Sequence, residues 1–135
     1  MIHVDTTLLV DLERELARER PGDAFEFLES LDDREVLAVS AHVLCELRTG
    51  AELSRKALAR QEQIDQLVEG LLVVYPDDRF PMQFARVAAA MQRSGHVIGK
   101  MDLLIATAAL LDDAPLVTRN VKDFSRVPGL RVLKY

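Results

Sequence analysis

Short apolar runs alternate with longer amphipathic segments along the chain. Five runs have the length and apolar character of short buried strands: residues 2–4, 36–39, 71–74, 115–118 and 130–133. Apolar residues recur at helical spacing in the segments between them: residues 7–17, 23–30, 54–69, 79–94 and 102–111. This alternation predicts an α/β domain with a mostly parallel central sheet of about five short strands, covered by helices.

Residues typical of helix ends support these boundaries. Asp23 and Ser40 are placed to cap the helices that follow them, and the second of these helices would carry Glu46. Gly95 is placed to end the long Ala-rich helix before it. Because the chain contains no repeat, low-complexity tract or linker, we expect a single domain over residues 1–135.

The composition is that of a compact globular protein. Of the 135 residues, 49% are hydrophobic and 29% are charged, which is enough to bury a core without disulfides. The single cysteine, Cys45, lies in an apolar helical stretch, which predicts a buried side chain and a reducing compartment. The longest apolar run, residues 103–111, is too short to span a bilayer, and the N-terminus lacks the basic region of a signal peptide. The sequence therefore predicts a cytoplasmic protein.

The net charge of −5 is divided unevenly along the chain. Residues 1–78 carry 18 acidic and 8 basic side chains, whereas residues 79–135 carry 4 acidic and 9 basic ones. The C-terminal half can thus present a basic surface to RNA or DNA, although ordinary solvated helix faces would give the same balance.

Four acidic residues stand at the edges of predicted core elements. Asp5 ends the first strand, and Glu46 lies within a predicted helix. Asp102 opens another helix, and Asp123 follows the fourth strand. In a parallel sheet the ligand site lies beyond the carboxyl ends of the strands, so these side chains can share one edge of the sheet. Because carboxylate clusters hold hard divalent cations in proteins, metal-dependent chemistry is the leading hypothesis.

Each acid also has an ordinary structural explanation. Asp5 could begin an Asx-turn, and Asp123 could cap a turn. Asp102 could cap its helix, and Glu46 could pair with Arg48. Against this, the residues one turn beyond Asp102 are apolar, which directs its carboxylate toward the core face of the helix. Taken singly, none of the four identifies a metal site.

The segments around the acids carry a resemblance to a known family. Four motifs occur in order: Ile2-His3-Val4-Asp5-Thr6-Thr7, Leu44-Cys45-Glu46-Leu47, Met101-Asp102-Leu103-Leu104-Ile105-Ala106 and Leu116-Val117-Thr118-Arg119-Asn120-Val121-Lys122-Asp123-Phe124. Together they resemble the PIN-domain nucleases, and among these the small VapC-type toxins of prokaryotic toxin–antitoxin pairs. The resemblance covers the whole chain and implies a PIN-like α/β/α sandwich. One departure is Thr7, where the family often has Asn or Ser; the hydroxyl is kept.

The resemblance implies a metal-dependent endoribonuclease. The reaction would be hydrolysis of an RNA phosphodiester by in-line attack of water, assisted by Mg²⁺ or Mn²⁺ and leaving 5′-phosphate and 3′-hydroxyl ends. Asp5, Glu46 and Asp102 would be the main metal ligands, direct or through water. Asp123 would be the fourth acid, and none of the four is lost.

Further residues receive supporting roles from the same resemblance. Thr6, Thr118 and Asn120 would orient the carboxylates and water. Arg119 and Lys100 neighbour these residues and are candidates for phosphate contact.

The expected partners follow mainly from the family. The resemblance implies a cognate VapB-like antitoxin, whose Arg could reach the acid cluster, and a homodimer that forms a heterotetramer or larger assembly with it. Apolar stripes in residues 25–31 and 54–69 would offer a groove for an antitoxin peptide, or else belong to the core.

Other functions stay open. One alternative is a PIN-domain nuclease that processes RNA without being a toxin, and another is a non-catalytic binding module of the same fold. Haloacid-dehalogenase-like phosphatases need a second Asp where this chain has Thr7, so that class is excluded. The histidines match no metal motif, and His3 is expected to be a hydrogen-bonded core residue.

Overall fold

The computed structural model describes all 135 residues and contains five strands and seven helices. The strands are β1 (Ile2–Val4), β2 (Leu37–Ser40), β3 (Leu72–Val74), β4 (Leu116–Val117) and β5 (Val132–Leu133). The helices are α1 (Thr6–Ala17), α2 (Asp23–Glu29), α3 (Ala41–Glu52), α4 (Ala57–Val68), α5 (Phe80–Ser94), α6 (Lys100–Leu111) and α7 (Val121–Phe124).

All five strands pair in parallel in one sheet, in the order β3-β2-β1-β4-β5. The chain runs outward from β1 to β3 and then returns to the other side of β1 at β4. Because crossovers between parallel strands are right-handed, the helices of the outward and the return paths cover opposite faces of the sheet. The predicted α/β/α fold with about five short strands is confirmed.

The predicted elements occur, with ends shifted by a few residues. The capping role of Ser40 is confirmed, since its Oγ accepts a hydrogen bond from the Val43 backbone N–H. The prediction for Asp23 is wrong, because Gly22 is the N-cap and Asp23 lies in the first turn of α2. The side chain of Glu15 on α1 instead satisfies the free N–H groups of α2, by accepting from Ala24 and Phe25.

The core lies between the sheet and the helices on its two faces. Every residue of β1 is buried, and α6 buries six residues of its twelve: Leu103, Ile105, Ala106, Thr107, Ala108 and Ala109. His3 is buried within β1, and its Nε2 lies 2.7 Å from Oδ2 of Asp112 at the end of α6. His3 is therefore the hydrogen-bonded core residue that the sequence predicts.

The predicted burial of Cys45 is wrong, because its side chain is exposed. Val43 and Leu47 are buried and lie one turn apart, so they define the face of α3 that meets the core. Cys45 lies midway between them in sequence and therefore points to the opposite side of the helix.

A cleft of about 1100 Å³ lies between α1 and α2 on one side and α3 and α4 on the other. It begins at Thr6 and Glu46 and extends between the apolar residues of α2 and α4. The apolar stripes in residues 25–31 and 54–69 were predicted either to line a groove or to belong to the core, and each interpretation holds in part. Ile64 belongs to the core, whereas Phe25 is 43% exposed on the wall of the cleft.

No helix has the combination of length and apolar character that a membrane crossing requires. The location of the protein in the cell stays a prediction.

Candidate active site

The carboxyl ends of β1 and β4 meet where the chain direction across the sheet reverses. Such a switch point leaves a crevice beyond the strand ends, which is where open α/β sheets bind ligands. Asp5 directly follows β1, and Thr118 directly follows β4. Both are buried, with Asp5 only 4% exposed. The topology therefore places a buried carboxylate at the edge of the sheet.

One oxygen of Asp5 is saturated by hydroxyl donors. Thr118 Oγ1 donates to Oδ2 of Asp5 at 2.6 Å, and Thr7 Oγ1 donates to the same atom at 3.0 Å. The two hydroxyls in turn accept from the backbone N–H groups of Asn120 and Arg119, respectively. Each hydroxyl thus uses its single proton on Asp5, which leaves Oδ1 available to a cation. Asp5 is the residue before α1, and its side chain accepts no hydrogen bond from the backbone there, so the Asx-turn explanation fails.

Glu46 reaches the same edge from α3. Its side chain is half-buried, and Thr6 Oγ1 donates to Oε1 at 2.7 Å, which leaves Oε2 free. The alternative pairing with Arg48 does not occur, because the Arg48 guanidinium binds Asp65 and Gln61. This hydrogen bond from Thr6 fixes the orientation of the Glu46 carboxylate.

Asp102 lies in the first turn of α6 and is not the cap of that helix, a position that Gly99 occupies. The pKa of Asp102 is raised to about 6, first by burial and then by the negative charges of Asp5, Glu46 and Asp123, in that order of effect. Asp5, Glu46 and Asp123 therefore all lie close enough to Asp102 to repel its negative charge.

Asp123 is half-exposed on α7, a short helix that the sequence pattern did not predict. Asn120 Nδ2 donates to Oδ2 of Asp123 at 3.2 Å, and Arg126 Nη1 lies 4.0 Å from Oδ1. Asn120 makes no side-chain capping bond, so its amide is directed to the acid.

The donor set suits a hard divalent cation. Every candidate ligand is a carboxylate oxygen. The acids around Asp102 carry the same negative charge, so they raise its pKa and do not neutralise it. No three His, Cys, Asp or Glu side chains are so arranged that they could hold a metal ion by themselves. Hard divalent cations can be bound through one or two carboxylates with water completing the shell, and the free oxygens of Asp5 and Glu46 are of this type.

Comparison with known proteins decides the family. The family model for the PIN domain matches residues 2–130. This chain belongs to the PIN-domain family. It is 32% identical over 110 residues to Ribonuclease VapC2 of Rickettsia felis, covering 82% of each chain. It is also 30% identical over 128 residues to Ribonuclease VapC1 of Haemophilus influenzae, covering 95% of this chain and 92% of the relative.

Solved structures agree with this assignment. The fold of this PIN domain matches a chain of VapBC2 from Rickettsia felis, solved with a promoter DNA fragment, at a TM-score of 0.88 and 29% identity over 100% of this chain and 99% of the other. It matches VapBC-1 from Haemophilus influenzae at a TM-score of 0.85 and 30% identity, over 99% and 98%.

The two basic candidates of this PIN domain differ in their surroundings. The Arg119 side chain is directed to Asp11 and Tyr135. Lys100 is exposed at the start of α6 and makes no ion pair. Asp11 and Tyr135 were not predicted from the sequence as residues of the site. The one sequence feature that could have indicated Asp11 is its spacing of four residues from Thr7, which places both on one face of α1.

The raised pKa of Asp102 predicts how the metal-free PIN domain responds to pH. The folded state keeps the Asp102 proton up to pH about 6, whereas an unfolded carboxyl loses it above its ordinary pKa of 3.8. The contribution of the Asp102 proton to the stability of the folded state is thus complete at low pH, and it is lost as the pH rises through about 6. With a chelator at pH 7.5, we expect Asp102→Asn to raise the free energy of unfolding by about 1–2 kcal/mol, a value reduced by solvent screening of the half-buried group.

The measurement is urea unfolding of wild type and Asp102→Asn at several pH values with EDTA present. The difference between the two proteins should disappear at a pH well below the ordinary pKa of 3.8, where the carboxyl is protonated in both states. An Asp102→Asn variant that is less stable than wild type at pH 7.5 would mean that the carboxylate has a stabilising partner and is not crowded by like charge.

Proposed function

We propose that this PIN domain is the toxin of a toxin–antitoxin pair, a ribonuclease that hydrolyses RNA phosphodiester bonds with Mg²⁺ or Mn²⁺ and is neutralised by a VapB-like antitoxin. The convergence of four carboxylates at the switch point of the sheet carries this proposal. The similarity to ribonucleases of the VapC group over most of the chain supports it.

The residues divide the work of holding the ion. Asp5 presents Oδ1 because its Oδ2 is taken by hydroxyls, and Glu46 presents Oε2 because Thr6 takes its Oε1. Asp102 must give up its proton when the ion binds, so affinity should rise with pH through about 6. A bound ion would supply Lewis-acid activation of water and neutralise charge on the phosphate. Asp123 is more exposed than Asp5, so RNA could reach it from solvent.

Lys100 is the side chain that we assign to the RNA backbone. It is exposed, makes no ion pair and lies two residues before Asp102 on α6. A Lys at this position can contact a phosphate without giving up a bond to the protein.

Removing either central acid should abolish cleavage. We expect Asp5→Asn and Asp102→Asn to lower the rate of RNA cleavage by about a hundredfold or more, because each removes a charge that holds the ion. The assay is cleavage of a labelled RNA by the purified chain with Mg²⁺ or Mn²⁺, with sequencing of the RNA ends.

Asp33→Asn is the matched control, because Asp33 is an exposed acid that makes no ion pair. It should cleave like wild type, and EDTA should stop both. RNA cleavage that is unchanged in folded Asp5→Asn and Asp102→Asn would contradict the nuclease assignment.

The cleft between α1/α2 and α3/α4 fits the antitoxin. Its walls combine apolar side chains from α2 and α4 with charged ones, including Glu13, Arg14 and Arg60, and one end opens at Glu46. An extended segment with apolar residues would lie along the cleft, and an Arg at its end would meet the carboxylates. Such an inhibitor neutralises the acids in place of the metal.

A substitution in the cleft should therefore separate antitoxin binding from catalysis. The antitoxin to be tested would be the product of a neighbouring short reading frame with a DNA-binding N-terminus. We expect Phe25→Glu to weaken its binding by about tenfold or more while RNA cleavage is kept, because the change puts a charge on an apolar wall. Isothermal calorimetry measures the affinity. Leu53→Glu is the control, since Leu53 is 83% exposed and outside the cleft.

Equal binding by Phe25→Glu and wild type would exclude this cleft as the antitoxin site. The absence of any such neighbouring reading frame would favour the alternative of an RNA-processing nuclease of the same family. The homodimer and the larger assembly with antitoxin stay predictions, which light scattering of the chain alone and of the complex would test.

A further inference from the structure

We propose that Arg119 is a positioning residue. With Asp11 and Tyr135 it forms a unit, here called the Arg119 clamp, that fastens residues 118–120 to α1 and so fixes the oxygen that Asp5 presents to the metal. The inference rests on the proposed nuclease function. It gives Arg119 a role different from the phosphate contact that its sequence position suggests.

The main chain and the side chain of Arg119 are both attached to α1. The Arg119 backbone N–H donates to Thr7 Oγ1 at 3.0 Å, and its Nε lies 3.0 Å from Oδ2 of Asp11. Thr7 and Asp11 are four residues apart on α1 and therefore lie on one face of the helix. One helix face thus holds a single residue of the β4–α7 connection at two points.

The ion pair between Arg119 and Asp11 is better shielded from solvent and makes more contacts than an ordinary surface ion pair. The Asp11 side chain is only 17% exposed, and Tyr135 OH donates to its Oδ2 at 2.8 Å. The guanidinium carbon of Arg119 lies 5.1 Å from the centre of the Tyr135 ring, at a distance where cation–π attraction operates. Phe27 also packs against the Tyr135 ring, with the ring centres 6.3 Å apart. Shielding and multiple partners make such a pair stronger than an isolated one.

The clamp acts on the residues beside Arg119 in sequence. Thr118 donates to Oδ2 of Asp5, and Asn120 donates to Asp123. If Arg119 were released from α1, the hydroxyl of Thr118 and the amide of Asn120 would lose their fixed positions. The Asp5 carboxylate could then rotate, and its free oxygen would leave the position that Oδ1 holds in the structure. The contacts thus connect the clamp to the carboxylates without any direct contact between Arg119 and the metal.

The same contacts argue against a phosphate at Arg119. Its charge is already met by Asp11, and Asp23 Oδ2 lies 3.8 Å from Nη2. A phosphate would have to compete with two carboxylates and with the Tyr135 ring. The two roles therefore make opposite predictions for RNA binding and for metal binding.

The test compares Arg119→Ala, Asp11→Asn and the double variant with wild type. Mn²⁺ affinity is measured by calorimetry on the protein alone, and kcat and KM for RNA cleavage are measured at several salt concentrations. We expect each single variant to weaken Mn²⁺ binding and lower kcat by about tenfold, as loss of an outer-shell partner does. The double variant should be no worse than either single one, because both remove the same contact. KM and its salt dependence should stay as in wild type.

Two further variants keep the outcome clear. Tyr135→Phe removes only the hydroxyl that binds Asp11, so it should move Mn²⁺ affinity in the same direction by a smaller factor even if Arg119→Ala does not fold. Lys134→Ala removes an exposed neighbouring charge outside the clamp and should change nothing.

Unchanged Mn²⁺ affinity in the variants, with a raised KM and a salt slope reduced by about 0.7, would assign Arg119 to a phosphate and overturn the clamp. In that case wild type still binds Mn²⁺ and cleaves RNA, so the proposed function survives. Wild-type protein that neither binds Mn²⁺ nor cleaves RNA overturns both proposals.

Discussion

The mutual repulsion of carboxylates beyond the ends of β1 and β4 is the constraint on which the site depends. The sheet order creates it, because the chain leaves β1 on one side and returns beside it on the other. The Asp5 carboxylate cannot move away from the other acids, because it is buried and accepts hydrogen bonds from two hydroxyls. The pKa of Asp102 is raised to about 6, first because the carboxyl is partly buried and second because Asp5, Glu46 and Asp123 repel its charge. Under the proposed function, a divalent cation and an arginine of the antitoxin would each relieve this repulsion, so the metal and the inhibitor would compete for the same carboxylates.

The features that the sequence predicts well are those that local pattern and topology determine together. An Asp that closes a buried strand must lie at an edge of the sheet, and this was enough to place Asp5. The apolar residues one turn beyond Asp102 directed its carboxylate toward the core face, where it lies half-buried. Ser40 was recognisable as a cap because a hydroxyl before a helix has a local partner. The assignment of the four acids as site residues rests on their flanking motifs and stays a prediction.

The features that the sequence does not predict depend on contacts between distant segments. Glu15 caps α2 from another helix, so the assignment of Asp23 as its cap failed. Cys45 is exposed because the phase of α3 is set by Val43 and Leu47, and an apolar run alone does not reveal that phase. The attachment of Arg119 to α1 requires that β4 lie beside β1, which only the assembled sheet provides.

The most direct test of the central claim is the anomalous diffraction of crystals soaked in Mn²⁺. The account predicts a peak beside Oδ1 of Asp5, within reach of Glu46 and Asp102 directly or through water, with the hydroxyls of Thr7 and Thr118 still on Oδ2. A peak that lies away from these carboxylates, or one at Oδ2 with both hydroxyls displaced, would contradict it.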